Sequence, residues 1–446
     1  MIVALDGTVL TIVQPVMQRD LDASFSEVQW TSTRYLIAVA GLLVFSGRLG
    51  DRYGHQRVFA VGVLGFAATS AAIGVASDID EVIALRVAQG VCGALLQPAT
   101  LGMLRAAYPR DRLAMPIALR TSAIGVAAAC GPLLGGALAA HLGWRAVFFL
   151  TVAPALAAGV AALAVRMPQP AVPIAPDARA GLDLPGAGLL AVALGFLVHT
   201  LVVLPEPGGT GASATGFVAV VAASVAFVRH ERRTPSALVQ ASVIRSAAVR
   251  PALGVLVIAS AVMFGALFIG TYYLQDVLGL DPLQSSLNAL PGPVMMILGA
   301  PVSAVLSRRQ GHRLTAVSGM VLIAVGVLLL SGLDQGSAST AIGGAFLVLG
   351  AGFGMVMVTA TAVIVHQCSK DTAGVAGGLQ QTAMNIGPAV GIAAATMFLS
   401  PVDAPHRTGA AFLSTMEPAL VALATTAALG ALLAARLPGH RATSRR

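Results

Sequence analysis

Along its whole length the chain alternates long apolar runs with short polar breaks. Fourteen runs stand out, at roughly 1–18, 30–48, 57–76, 82–104, 116–139, 145–165, 183–204, 212–228, 250–275, 285–306, 313–331, 339–365, 373–399 and 411–435. Most approach the about 20 residues that a helix needs to cross hydrocarbon. Apolar side chains fill all sides of these runs, where a surface helix would show a single stripe. Only helices and closed barrels satisfy their backbone in lipid, and runs of this length suit helices. The pattern predicts an all-α integral membrane fold of about 14 spans. The first run begins at Met1 and is short for a span, which suggests that part of its helix lies upstream.

Composition agrees with the pattern. The 446 residues are 57% hydrophobic and 10% charged, with a mean hydropathy of +0.84. An ordinary soluble domain carries about 25% charged residues. The net charge of +8 is scattered between apolar runs, so it carries no nucleic-acid signal. Lys370 is the sole lysine, and arginine supplies the other basic residues, which suggests a GC-rich genome. Their placement tests the topology. Arg34, Arg86 and Arg120 lie within runs, and Arg19, Arg145 and Arg407 fall on one face. All the others fall on the opposite face, among them Arg48, Arg105, Arg166, Arg229, Arg308 and Arg436. Positive charge marks the cytoplasmic side, so both termini are expected inside. Trp30 and Trp144 open their runs at the outer side, where amphipathic rings prefer to sit.

Several function classes are disfavoured. Cys92, Cys130 and Cys368 have no metal-ligand spacing and read as packing residues. No metal cluster, catalytic triad or phosphate-binding Gly-x-x-x-x-Gly-Lys loop is present, which argues against an enzyme and against ATP as the driving force.

Two connectors divide the chain, a Pro/Ala-rich one at 166–182 and a basic one at 229–250. The expected organisation is an N-terminal six-helix bundle at 1–165, connectors and two accessory helices at 166–249, a C-terminal bundle at 250–436 and a tail at 437–446. The two bundles echo each other. Gly54-His55 corresponds to Gly311-His312, and Arg308 and Arg309 stand where the first copy has Asp51 and Arg52. Parallel repeats of this kind occur in secondary transporters.

Four stretches carry chemistry. Residues 47–57 read as a short charged loop in which Gly47, Gly50 and Gly54 permit turns and Asp51 pairs with Arg48, Arg52 or Arg57. Asp6 lies in the first run. An acid at hydrocarbon depth costs about 2.5–3.5 kcal/mol on insertion scales, so it faces the bundle interior and is a functional candidate. Burial favours its protonated form, which suits a proton-coupling carboxylate. Arg86, in Arg-Val-Ala-Gln-Gly, needs an acid or carbonyls as partners. Gly125, Gly131, Pro132, Gly135 and Gly136 form a small-residue stretch that permits close helix approach and a bend. Arg34, Gln97, Asn288, Gln381, Asn385 and Glu417 are polar points on greasy runs and are candidate cavity-lining residues.

These stretches resemble, in order, motifs of the major facilitator superfamily. Gly47, Leu49, Asp51, Arg52, Gly54 and Arg57 fall on its loop between the second and third spans, and His55 and Gln56 depart from it. Leu5-Asp6-Gly7-Thr8 with Pro15 is similar to the first span of fourteen-span drug:proton antiporters. Arg86, Gln89, Gly90 and Gly93 match a fourth-span motif linked with proton transfer. The run from Gly125 to Gly136 matches a fifth-span motif characteristic of antiporters, and Trp144-Arg145 with Phe148 also fits. The resemblance implies two six-helix bundles plus two accessory helices in a bacterial plasma membrane, working as a monomer. It implies export of a hydrophobic or amphipathic drug in exchange for protons, with no cofactor and no nucleic-acid partner. Asp6 and Arg86 would couple the proton, and Gly47, Asp51, Arg52, Gly54 and Arg57 would latch the cytoplasmic side. A lone buried acid fits a neutral or monocationic cargo better than a dication. An uptake symporter and a non-transporting membrane sensor stay open as alternatives.

Overall fold

The computed structural model describes residues 1–109, 112–165, 183–203, 209–234, 238, 246–280, 282–367, 373–399 and 409–438. The expected connector at 166–182, residues 235–237 and 239–245 of that at 229–250, Cys368, Lys370, Arg407 and the end of the tail lie outside these residues. The regular elements among the described residues are helices: α1 (Ile2–Asp20), α2 (Phe25–Tyr53), α3 (His55–Val75), α4 (Ile79–Ala107), α5 (Ala114–Leu142), α6 (Trp144–Ala164), α7 (Leu184–Val203), α8 (Gly209–Arg233), α9 (Val249–Tyr272), α10 (Pro282–Ala289), α11 (Pro291–Gln310), α12 (His312–Ser331), α13 (Ser339–Gln367), α14 (Ala373–Leu399) and α15 (Gly409–Ala434).

Among the described residues eleven helices are long and apolar enough to cross a membrane. The helices α1, α2 and α4 are not among them; α1 and α4 carry the acid, arginine and amide side chains of the candidate site, and α2 packs against them. The run expected at 285–306 is divided: α10 ends before Pro291, which opens α11 at a position where its missing N–H is harmless. The helix α9 continues through a π-helical turn at Tyr273–Val277, where the Tyr273 hydroxyl donates to the Asp334 carbonyl at 2.6 Å.

The stretch at 47–57 departs from expectation. The helix α2 runs on to Tyr53, so Gly47 and Gly50 are helical. The turn is a single residue, Gly54, at φ 94°. Its counterpart Gly311 has φ 87° and joins α11 to α12 in the same way. Glycine reaches this region without the penalty that a Cβ brings. The repeat read from Gly54-His55 and Gly311-His312 is thus also a repeat of backbone geometry.

One large core draws its side chains from α9 and from α11 to α15. Two further cores draw theirs from α1 to α6. Between these groups α2 and α4 pack on α14, and α5 packs on α11 and α13. The helices α7 and α8 form a pair, and α7 lies against α2 and α14. Gly41 and Gly195 let α2 and α7 approach: a Cβ on Gly41 would sit 3.1 Å from Ala191, and one on Gly195 would sit 3.2 Å from Ile37. Asp183, just before α7, meets His230 of α8 at 2.7 Å.

Candidate functional site

Asp6 is in the interior, 5% exposed, on α1. Arg86 and Gln89 lie one turn apart on α4 and face it. Arg86 NH1 donates to Asp6 Oδ2 at 2.7 Å, and Gln89 Nε2 donates to Asp6 Oδ1 at 3.2 Å. Both carboxylate oxygens are therefore held. The guanidinium of Arg86, on a residue 1% exposed, has further partners. It donates through NH1 to Gln89 Oε1 and through Nε to the Thr31 carbonyl at 3.3 Å, and it lies 4.2 Å from the centre of the Tyr35 ring. Gln89 also donates to Ser70 Oγ on α3 at 2.7 Å. Four helices thus converge on one carboxylate.

The sequence identified Asp6, Arg86 and Gln89 but missed Thr31, Tyr35 and Ser70. Thr31 and Tyr35 sit one turn apart on α2, and that spacing was the available signal. Tyr35 is buried, and its hydroxyl has no hydrogen-bond partner. Gly90 lets α2 reach the site, since a Cβ there would sit 2.8 Å from the Tyr35 carbonyl oxygen.

The glycines of α5 act by closeness. A Cβ on Gly131 would fall 2.0 Å from Thr8 Oγ1, and one on Gly135 would fall 2.7 Å from Val9 Cγ1. They seat α5 against the turn of α1 that follows Asp6. Gly125 serves a different neighbour, lying against Met296 and Ile297 of α11. Gly136 and Pro132 are on the same helix, and the Pro132 side chain lies outside the described residues. The helix α5 continues without interruption past both.

Asp51 finds other partners than the arginines expected for it. Its Oδ1 accepts from the Gly374 N–H at 2.7 Å, and its Oδ2 accepts from the Val375 N–H at 3.0 Å. These are free donors of the first turn of α14, where a helix favours negative charge. His55 Nε2 lies 3.3 Å from Asp51 Oδ1. Burial pushes the Asp51 carboxyl above its usual value, against the His55 and backbone donors that favour the charged form. The His55 ring fills a slot between Gly50 and Gly102, where a Cβ on either glycine would meet Nδ1 at 2.4 Å. So His55 and Gln56, which depart from the motif, are both engaged: Gln56 Nε2 donates to the Ala162 and Val165 carbonyls at the end of α6. The Arg52 guanidinium lies 5.6 Å from the Tyr53 ring, and Arg57 is exposed.

At the opposite end Asp20 accepts from Trp144 Nε1 at 2.8 Å and from Arg145 NH1. Arg145 also donates to the Ala76 carbonyl at 3.1 Å. This group ties α1, α3 and α6 together.

The candidate cavity residues divide. Arg120 NH2 donates to Gln381 Oε1 at 3.2 Å, joining α5 to α14, and Asn385 lies one turn along α14. Gln97 is buried on α4. Three others do not line an interior space. Arg34 is exposed and stacks over Trp30 at 5.2 Å, with His199 on the other helix 5.8 Å from the same indole. Asn288 donates back to the Gln284 carbonyl of its own helix. Glu417 is exposed on α15, as a carboxylate is without a partner to offset its burial.

Among the described residues no group of three or more His, Cys, Asp or Glu side chains could hold a metal ion. The arrangement offers a buried Asp6 carboxylate held by Arg86 and Gln89, and a contact between the two groups of helices at the Asp51 end.

Residues 1–392 match the Major Facilitator Superfamily. The chain is 40% identical over 399 residues to a tetracenomycin C resistance and export protein of Streptomyces glaucescens, covering 88% of this chain and 72% of that one. It is 33% identical over 402 residues to a probable actinorhodin transporter of Streptomyces coelicolor, covering 87% and 68% respectively. Against the multidrug efflux pump LfrA of Mycolicibacterium smegmatis the identity is 29% over 438 residues, covering 95% and 85%. The human organic anion transporter MFSD10 has a similar fold, with a TM-score of 0.64 at 14% identity over 97% of this chain and 98% of that one. Together with the helical, membrane-spanning architecture, these matches place the chain in the major facilitator superfamily.

Proposed function

We propose that this protein is a fourteen-span drug:proton antiporter that exports hydrophobic or amphipathic compounds from a bacterial cell. The observation that carries the reading is the buried Asp6–Arg86 pair at 2.7 Å. Protonation of Asp6 removes one half of an ion pair in the interior. The remaining charge is not stranded, because Arg86 keeps Gln89, the Thr31 carbonyl and the face of Tyr35. A carboxylate whose proton can be added without orphaning its partner suits cyclic proton uptake and release. The printed names of the relatives, which concern resistance and export, support an outward direction of transport.

In this reading the Asp51 end faces the cytoplasm, as the distribution of arginine suggests. Asp51 on the α14 N-terminus then latches that side shut, and alternating access consists of rocking residues 1–165 against 250–436. The three polar helices outside the eleven apolar ones are counted as spans because α1 and α4 pair their buried charges, Asp6 and Arg86, and α2 packs over that pair with Thr31 and Tyr35.

The test uses everted membrane vesicles with a fluorescent lipophilic dye substrate supplied in the outer medium. Wild-type protein is expected to accumulate dye when a proton gradient is imposed and to stop on adding a protonophore. Asp6→Asn is expected to fold, insert and lose this response. Unchanged gradient-driven uptake by Asp6→Asn removes Asp6 from the mechanism. Dye movement in the opposite sense would make the protein an uptake symporter.

A further inference from the structure

The seam between the two groups of helices holds a cation with no anion of its own. Arg120 lies on α5, and its NH2 donates to Gln381 across the seam. Its other terminal nitrogen, NH1, is buried and has no hydrogen-bond partner. One turn along α14 from Gln381, Asn385 Nδ2 is buried and unpartnered as well. Both orphans are donors. The two groups of helices meet nearby: Ser122 of α5 donates to the Ile297 carbonyl of α11 at 2.7 Å, and Gly377 of α14 packs on Pro98 of α4.

Among the described residues Asp6 holds Arg86, Asp20 holds Arg145, Asp51 meets His55 and Asp183 meets His230. No described acid lies within ion-pair distance of Arg120. A charge at membrane depth is costly, and a buried donor without an acceptor forfeits the water it gave up. Arg86 shows how this fold treats a buried arginine that belongs to the protein alone, with four groups around it. Arg120 has one amide oxygen.

We infer that Arg120, with Asn385 one turn along α14 from its Gln381 partner, is the recognition point for an anionic oxygen on the cargo, such as a phenolate or carboxylate carried by an otherwise apolar molecule. The inference rests on the efflux reading and gives it a substrate class. It departs from the neutral or monocationic cargo that a lone buried acid suggests. The cargo's oxygen accepts from NH1 of Arg120 and Nδ2 of Asn385 and supplies the missing negative charge. A cationic cargo of the same shape meets an uncompensated guanidinium.

The experiment compares fluorescein with rhodamine 123, which share a xanthene core and carry opposite charge. Binding to the purified full chain in neutral detergent is read by fluorescence polarisation. Wild-type protein is expected to bind fluorescein about tenfold more tightly than rhodamine 123 or better, the scale of one charge-assisted hydrogen bond. Arg120→Gln and Asn385→Leu are each expected to weaken fluorescein while leaving rhodamine 123 unchanged or tighter, and Arg120→Lys should retain part of the preference. A wild-type preference for rhodamine 123 overturns the inference, and this result needs no variant to fold. Equal weakening of both dyes in Arg120→Gln, at an unchanged melting temperature, overturns it as well. Charge-selective binding without gradient-driven transport would sink the efflux reading and leave the anion site standing. Gradient-driven export of rhodamine 123 with no selectivity for fluorescein would do the reverse.

Discussion

Gly47 and Gly374 lie against each other so closely that a Cβ on either would sit 2.1 Å from the other's carbonyl oxygen. Nothing larger than hydrogen fits between α2 and α14 at this level. The contact brings the Asp51 carboxylate to the first free N–H groups of α14, so the glycine pair and the acid work as one device. Gly47→Val is expected to part the helices and release the Gly374 and Val375 amides. Hydrogen exchange of a peptide covering 373–380 should quicken at least tenfold. Protection equal to wild type would show that the contact does not depend on Gly47.

The Asp6–Arg86 pair makes a prediction about stability as well as transport. Removing one partner of a buried pair leaves the other uncompensated and costs about 3–5 kcal/mol. Arg86→Gln alone should lower the melting temperature of the purified protein clearly. The double variant Asp6→Asn with Arg86→Gln should recover most of the loss, because two amides can hydrogen-bond where two charges stood. Additive losses in the double variant would mean that the two side chains are not coupled.

Gly131 tests whether α5 positions the acid. A side chain there collides with Thr8, two residues beyond Asp6 on α1, and overpacking of this kind costs about 1–3 kcal/mol. Gly131→Val is expected to fold, to lose gradient-driven dye accumulation and to keep normal thermal behaviour within that range. Gly125→Val, which presses on α11 instead, should alter substrate affinity more than proton dependence. Identical transport profiles for the two variants would count against separate roles.

At the opposite end, the Asp20 carboxyl is held below its usual value, first by the Trp144 indole N–H and then by Arg145. A depressed folded-state value means that the stabilisation is present above the ordinary carboxyl value of 3.8 and fades as pH falls through the lower one. Melting curves of wild type and Asp20→Asn should differ at pH 7 and converge below that ordinary value. Asp20 is exposed, so the difference is small, and a gap that widens toward acid would contradict the assignment.

Much of this was legible in the chain because lipid leaves so few options. Apolar runs must be helices, so run boundaries gave helix positions to within a few residues except where Pro291 cut one run in two. Asp6 and Arg86 announced themselves because charge at that depth demands a partner. What stayed hidden depends on which helices touch. Tyr35 and Ser70 look like ordinary residues until α2 and α3 are seen beside Arg86 and Gln89. Asp51 looked destined for nearby arginines because sequence shows neighbours along the chain and not the N-terminus of α14. Glu417 stood as a candidate for the cavity because its run is greasy, and its outward direction is a matter of helix rotation.

The position of α7 gives the molecule two unlike flanks. On one side its side chains cover the joint between α2 and α14, with Ile386 of α14 wedged beside Leu194 and Val198. On the other, where α5 meets α11, Leu119 and Leu298 stand bare to the surroundings. A greasy molecule dissolved in the bilayer would therefore meet α5 and α11 directly on one flank, and α7 laid over the joint on the other.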